Sequence, residues 1–257
     1  MVSMRPIILG AGRGSRLKTL TDDQPKPYVR IGGRPILEWV LDSLLAAGLE
    51  RPVFVGGYQI ERIRADYQHL EFCHNELWET TNMLASLFCA EEYMEGGFLC
   101  TYADILYRPS VVRRALEHPA DIVLCVDVDW RARYAGRSQH PEDDAEKVQA
   151  DEDRVRAINR SMPSAQASGE YIGVARFSAA GARWIRQHYH RLREKFAGVT
   201  WCDGRTFEQA YLIHLFEEML ESGVSFHMVT TEGDYMEVDT EEDYAMANEV
   251  WPKTRTE

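Results

Sequence analysis

The residues best suited to chemistry stand at the head of this 257-residue chain. The apolar run Pro6-Ile7-Ile8-Leu9 passes directly into Gly10-Ala11-Gly12-Arg13-Gly14-Ser15-Arg16-Leu17, and Pro25-Lys26-Pro27 follows. A strand that ends in glycines offers several backbone N–H groups to one anion, and the missing side chains let phosphate come close. Arg13, Arg16 and Lys26 add three cations within the same reach. The chemistry implied is polyphosphate binding. Two rival phosphate motifs fail on spacing. A dinucleotide fingerprint needs G-x-G-x-x-G and an acid about 20 residues later, but Ser15 fills the last glycine's place. No G-x-x-x-x-G-K-S/T occurs, which removes the P-loop.

Two carboxylates stand where strands should end. Asp104 follows the apolar run 98–102, and Asp239 follows 235–238, just ahead of Thr240-Glu241-Glu242. In a doubly wound sheet, ligands gather beyond the carboxyl ends of the strands. Asp239 also occupies a place an N-capping aspartate would take, whereas a lone acid at 104 gains little from packing. If the two converge on the glycine loop, they supply the oxygen pair that Mg²⁺ favours. A glycine cradle, a lysine and an acid pair fit nucleotidyl transfer. An acceptor oxyanion attacks the α-phosphorus in line and pyrophosphate departs, with positioning and charge neutralisation supplying most of the catalysis.

Composition narrows the partners. A net charge of −12 argues against a general nucleic-acid binder, and a basic loop in an acidic chain suits a small anion arriving with a divalent metal. With 45% hydrophobic and 27% charged residues, the chain has an ordinary globular balance and ample core. The five cysteines include no C-x-x-C, and Cys89, Cys100 and Cys125 sit in apolar runs, so reduced core residues are expected. No cationic N-terminal segment precedes a long apolar run, and no stretch reaches membrane-spanning length. Cytoplasmic location without membrane insertion is expected; monomer and homodimer both remain open.

The elements that must position these residues alternate. Strands are expected at 6–9, 52–57, 71–73, 98–102 and 121–127, with helices at 36–45, 60–67, 82–93 and from Pro109 onward. Such nearly continuous apolar strands suit burial on both faces. The expected fold class is α/β: a Rossmann-like, mixed, mostly parallel sheet with helices on both faces. The second half reads as a polar loop at 131–144, a hairpin from 147–149 and 154–158, and a strand at 170–177. Helices at 179–195 and 206–222, strands at 224–229 and 235–238, and a helix after Asp239 complete it. One domain over 1–257 is expected, 1–127 binding nucleotide and 128–257 binding the acceptor and completing the metal site.

The acceptor pocket is sought near Asp127-Val128-Asp129-Trp130, which ends a strand on the side of Asp104. A quaternary ammonium would want an aromatic cage, for which Trp130, Tyr134, Tyr171 and Trp201 are candidates. A primary amine would want carboxylates, such as Asp129, Glu170 and Asp203. A phosphate or phosphonate would want Arg133, Arg137 and Lys147. Trp130 and Trp201 suit the core equally well. His140, His188 and His190 have no third ligand at metal spacing.

The stretch from Leu9 to Leu17, with Pro25-Lys26-Pro27, resembles the signature of the nucleoside triphosphate transferases that make activated sugars and alcohols. Four further stretches are similar to the branch typified by phosphocholine cytidylyltransferases, with relatives acting on 2-aminoethylphosphonate. These are Thr81-Asn82-Met83-Leu84-Ala85-Ser86-Leu87, Tyr102-Ala103-Asp104-Ile105-Leu106, Gly169-Glu170-Tyr171-Ile172-Gly173 and Glu237-Val238-Asp239-Thr240-Glu241-Glu242-Asp243-Tyr244. The resemblance implies a cytidylyltransferase that uses CTP, Mg²⁺ and a small phosphorylated or phosphonate acceptor. By the same resemblance, backbone at Leu9, Gly10, Ala11 and Gly12 holds base, ribose and phosphate, with Arg13 and Gly14 in the same loop. Arg16 and Lys26 bind the triphosphate, Gly57 and Tyr58 border the base, and Asn82 and Ser86 line it. Asp104 and Asp239 ligate magnesium, and Glu170 faces the acceptor. Gly10 replaces the family's usual alanine, a change expected to be harmless. Glu237-Val238-Asp239 replaces the tryptophan-leucine-aspartate common among sugar-specific members. The rival expectations are a sugar-1-phosphate nucleotidyltransferase and a non-catalytic nucleotide-sensing homologue, the latter disfavoured by intact Lys26, Asp104 and Asp239.

Overall fold

The computed structural model describes residues 4–135, 137–139 and 141–253; His140 lies outside the described residues. Its central sheet has nine strands. They are β1 (Arg5–Gly10), β2 (Val53–Gly56), β3 (Glu71–His74), β4 (Phe98–Tyr102), β5 (Ile122–Asp127), β6 (Lys147–Asp151), β7 (Arg154–Asn159), β8 (Gly169–Phe177) and β9 (His227–Thr231). Their order is β3-β2-β1-β4-β8-β5-β9-β7-β6.

The apolar runs of the first half explain its parallel part. Ile7, Ile8, Val53, Phe54, Phe98 and Leu99 are fully buried, as strands covered on both faces must be. β3, β2, β1 and β4 pair in parallel, so every carboxyl end faces the same way. β8 runs antiparallel between β4 and β5, while β9 joins β5 in parallel. The hairpin β6–β7 pairs with β9 on one side and returns to β8 on the other, closing a ring of hydrogen-bonded strands. The sheet is mixed, as expected, with its uniformly parallel section in the first half.

A short ladder joins the two halves at the site. Ile105–Tyr107 pairs antiparallel with Tyr235–Glu237, with Glu237 opposite Ile105, and the Val238 N–H donates to the Asp104 carbonyl at 3.1 Å. Ile105–Tyr107 carries no strand expectation in the sequence. Only this pairing brings residues 104 and 239 side by side.

Three expected elements differ. The helix expected at 82–93 is Met83–Phe88, followed by a 3₁₀ turn at Glu91–Tyr93, because Ala90 and Met94 turn into the core. The helix expected at 206–222 breaks into a 3₁₀ turn, Phe207–Gln209, and the helix Leu212–Glu221. The break leaves the Glu208 and Ala210 carbonyls free to accept from the Asn82 and Leu84 N–H groups, which answers part of that helix's need for donors' partners at its N-terminus. The polar stretch 131–144 is not all loop. Trp130–Tyr134 is helical, and Trp130, Tyr134 and Ala145 form a small core of their own. All five cysteines are unpaired, but Cys89 is exposed and not a core residue.

The glycine at position 10 is required by its neighbours. A Cβ there would lie 2.5 Å from the Phe54 ring and 2.9 Å from Ala103 Cβ. The Phe54 ring fills the space that an alanine methyl would take. Gly10→Ala should destabilise the chain by about 1–3 kcal/mol, the usual cost of overpacking. Adding Phe54→Leu should recover part of the loss. Urea unfolding of the two single variants and the double variant gives the coupling; strict additivity would refute it.

Candidate active site

Lys26 is the centre of the site. Its segment is a short 3₁₀ turn, Lys26–Tyr28, held by Pro25 and Pro27, whose fixed φ suits a tight turn. Gly14, at φ +74°, lies directly over the lysine stem, and a Cβ there would touch Lys26 Cβ and Cδ at 2.8 Å. The ammonium is therefore buried and directed inward. Lys26 Nζ donates to Asp104 Oδ2 at 2.8 Å and to Asp239 Oδ1. Arg16 donates to the other Asp239 oxygen and also faces Asp144 Oδ2 at 3.5 Å. The two distant carboxylates thus meet at the N-terminal loop.

Asp239 is not the helix cap. Thr240 takes that place, accepting from the Asp243 N–H at 3.2 Å, while Asp243 Oδ2 accepts from the Thr240 and Asp239 N–H groups at 2.9 and 3.1 Å. The side chain of Asp239 is released for Lys26 and Arg16. Arg137 braces this corner through Asp243, 3.1 Å away.

Burial opposes a charged Lys26, but Asp104 and Asp239 hold its pKa above the ordinary lysine value. At Asp239 burial is outweighed by Lys26 and Arg16, and the carboxyl is held below the usual range. Glu237 goes the opposite way. Burial first, then Asp239, Glu170 and Asp104, push it well above the glutamate range. Environments that drive neighbouring carboxyls apart in this way cluster at functional sites.

Two hollows meet at Asp104. The first is lined by Leu9, Gly10, Ala11, Gly12 and Gly14, by Lys26 and Pro27, and by Trp78, Thr81, Asn82, Met83, Ser86, Ala103 and Asp104. Asn82 caps the helix Met83–Phe88, and Ser86 Oγ accepts from Asn75 Nδ2 at 3.0 Å, which fixes this wall. Gly57 and Tyr58 stand behind the loop: the Tyr58 N–H donates to the Ala11 carbonyl at 2.9 Å, and its ring meets Trp78 edge-on. Arg13 is exposed, over the Tyr58 ring. Trp78 was not anticipated, since nothing in its polar surroundings marks it.

The second hollow shares Asp104 and Met83 and is bordered by Asp144, Glu146, Glu170, Glu237 and Asp239, with Tyr102, Tyr171, Tyr211 and Tyr235. Arg160 is the cation on its wall, pairing with Glu146 at 3.1 Å and lying over the Tyr211 ring. Of the expected acceptor residues, Glu170 and Tyr171 border this hollow. Three others stand one layer behind. Tyr134 OH donates to Glu170 Oε1 at 2.6 Å, Arg133 pairs with Glu170 at 3.1 Å and with Asp127, and Lys147 donates to the Arg160 carbonyl at 2.7 Å. The remaining expectations are corrected. Trp130 is packed in the small core with Tyr134, and Asp129 is exposed beside it. Trp201 packs on Phe196 and Phe207, Asp203 is exposed and reaches His214 Nε2 at 3.1 Å, and Arg137 serves Asp243. The aromatic residues that do converge are tyrosines on four separate segments, a grouping the sequence could not display.

Comparison with known proteins agrees with this architecture. Residues 6–169 match the family described as the MobA-like NTP transferase domain. The chain is 27% identical over 248 residues to the CTP:phosphoglutamine cytidylyltransferase of Campylobacter jejuni, an alignment covering 92% of this chain and 96% of that protein. It is 33% identical over 99 residues to the 2-aminoethylphosphonate cytidylyltransferase of Lancefieldella rimae, covering 37% and 40% of the two. Among solved structures, the inositol-1-phosphate CTP transferase from T. maritima superposes with a TM-score of 0.73 at 23% identity, over 99% of both chains. The CTP:phosphocholine cytidylyltransferase from Streptococcus pneumoniae gives 0.69 at 18% identity, over 96% of this chain and 99% of that one. The glycine loop, the buried lysine and this matched span together make the chain a nucleotidyltransferase belonging to the MobA-like NTP transferase family.

Proposed function

We infer that this enzyme transfers the cytidylyl group of CTP to a small phosphate or phosphonate that also bears an amine or quaternary ammonium. The observation that carries this reading is the buried Lys26 ammonium, bonded to the Asp104 that two hollows share, one lined by the glycine loop and the other ringed by carboxylates and tyrosines. The cytidylyltransferases among the relatives support the choice of nucleotide.

In this reading the loop Leu9–Gly14 cradles the triphosphate through main-chain donors, which impose position without a long side chain. Arg16 and Lys26 neutralise phosphate charge. An acceptor oxygen attacks the α-phosphorus, the bond from the α-phosphorus to the bridging oxygen breaks, and pyrophosphate leaves carrying that electron pair. Lys26, stripped of water and already oriented, stabilises charge on the α-phosphoryl oxygens as it grows. Arg160 holds the anionic end of the acceptor. The tyrosine rings and Glu170 receive its cationic end, by cation–π attraction and by charge. Arg133 and Tyr134 hold Glu170 in place.

Asp104 and Asp239 are suited to hold Mg²⁺, because Asp104 Oδ1 is a buried carboxylate oxygen without a hydrogen-bond partner among the described residues. When bound, the ion would neutralise phosphate charge and polarise the α-phosphoryl group.

Pyrophosphate release with CTP, UTP and dTTP against a panel of acceptors tests the proposal. Turnover should require CTP and favour phosphocholine, 2-aminoethylphosphonate or similar zwitterions; turnover confined to hexose 1-phosphates overturns it. In the same assay, Lys26→Ala should lower kcat by about 10²–10³-fold while shifting the CTP Kd by less than about tenfold, since the contact strengthens in the transition state. Equal losses in both would reduce Lys26 to a ground-state contact.

Glu237 leads to a stability test. Its raised pKa contributes stability that is fully present below the ordinary value of 4.5 and is lost as pH rises through the folded-state value. Glu237→Gln, which stays neutral, should therefore gain on the parent steadily as pH climbs from 4.5 upward. Thermal melts of both proteins in chelator, taken across that range, measure the gap. A gap independent of pH would show that Glu237 titrates normally.

A further inference from the structure

A second cluster of metal-ligating side chains lies at the opposite ends of the strands. His118 precedes β5, Asp153 sits in the turn of the β6–β7 hairpin, and His227 opens β9. In the sheet, His227 is opposite Val123 while Thr231 is opposite Asp127, so the cluster is at the far edge from the nucleotide loop. Asp153 Oδ2 lies 3.1 Å from His118 Nε2 and 3.3 Å from His227 Nδ1, and one ligand atom from each residue lies within 4.8 Å of the others. Ligand atoms around a tetrahedral zinc ion, bound at about 2.0–2.1 Å, stand about 3.3 Å apart. His227 Nδ1 is a buried atom that faces only the Asp153 carboxylate among the contacts given for it.

We propose that His118, Asp153 and His227 form a structural site for a divalent transition metal, with zinc as the probe. Two imidazoles and a carboxylate are ligands such ions accept, and a water molecule would complete four-coordination. Loading has a defined cost. His118 Nδ1 accepts from the Ala120 N–H at 3.2 Å, so its proton now resides on Nε2. Metal binding moves that proton to Nδ1 and gives up the Ala120 bond, one backbone hydrogen bond against three metal–ligand bonds.

The consequence is mechanical. Three segments remote in sequence are tied together, and one of them is a hairpin whose far ends carry Glu146 and Arg160 of the second hollow. The metal would fix the hairpin's tip and so steady its base.

The test uses the full chain with excess Mg²⁺, which occupies the carboxylate pair. Zinc at about a hundredfold over its Kd should raise Tm by roughly 5–10 °C. His227→Gln and Asp153→Asn should each weaken zinc binding by at least the roughly tenfold that a lost outer-shell partner costs. Cobalt(II) bound to the unaltered chain should give the intense visible bands of tetrahedral coordination. Absence of a zinc-dependent shift overturns the site, as does a shift that survives both substitutions. If a variant fails to fold, the cobalt spectrum decides, and a pale octahedral spectrum overturns the proposal. None of these readouts depends on which nucleotide or acceptor the enzyme uses.

Discussion

A lysine ammonium removed from water can persist only where opposite charge surrounds it. Lys26 is in that position, and much of the molecule is arranged to meet the requirement. Gly14 must lack a side chain for the loop to lie over the lysine stem. β1 and β4 must be neighbours for Asp104 to emerge beside the glycine loop. The ladder between Ile105–Tyr107 and Tyr235–Glu237 must form for Asp239 to arrive from the end of the chain. Loss of any one of these would leave a buried charge without its partner.

The same requirement orders the acid-rich hollow beside it. Lys26 and Arg16 hold the pKa of Asp239 below the carboxylate range, while burial and neighbouring carboxyls push that of Glu237, two residues away, well above it. Glu170 is paired with Arg133 and Tyr134, and Glu146 with Arg160. Carboxyls crowded together in a low dielectric cannot all carry charge. Each is therefore either paired or protonated, and the hollow presents a graded surface instead of a uniform negative one. Polar networks of this kind specify geometry because a half-satisfied state is costly.

Much of this could be read before any coordinates. The glycine loop, Lys26, Asp104 and Asp239 stood out because their types and local settings have few other uses. The parallel strands were legible because burial on both faces leaves an unbroken apolar run. The acceptor side was less legible. Arg133, Tyr134 and Lys147 lie near in sequence to the residues that border the hollow, but their side chains turn to the layer behind. Trp130 and Trp201, candidates for an aromatic cage around a quaternary ammonium, pack on neighbouring side chains instead. Glu146 and Arg160 carry no signal in the sequence because neither periodicity nor motif distinguishes a pocket wall from the base of an ordinary hairpin.

What the amino-acid order determined by itself is local: the turn that presents main-chain N–H groups, the strands that flank it, and the chemical types available at their ends. A turn needs only a few adjacent φ and ψ values, and an apolar run declares its own burial. The tertiary structure alone decided which carboxylates meet, which of them keeps a proton, and which aromatic rings share a wall. Those outcomes depend on pairings across more than a hundred residues, such as Glu237 opposite Ile105. They also depend on the dielectric that only the packed interior creates, because proton affinity responds to burial and to neighbours, not to position in the chain.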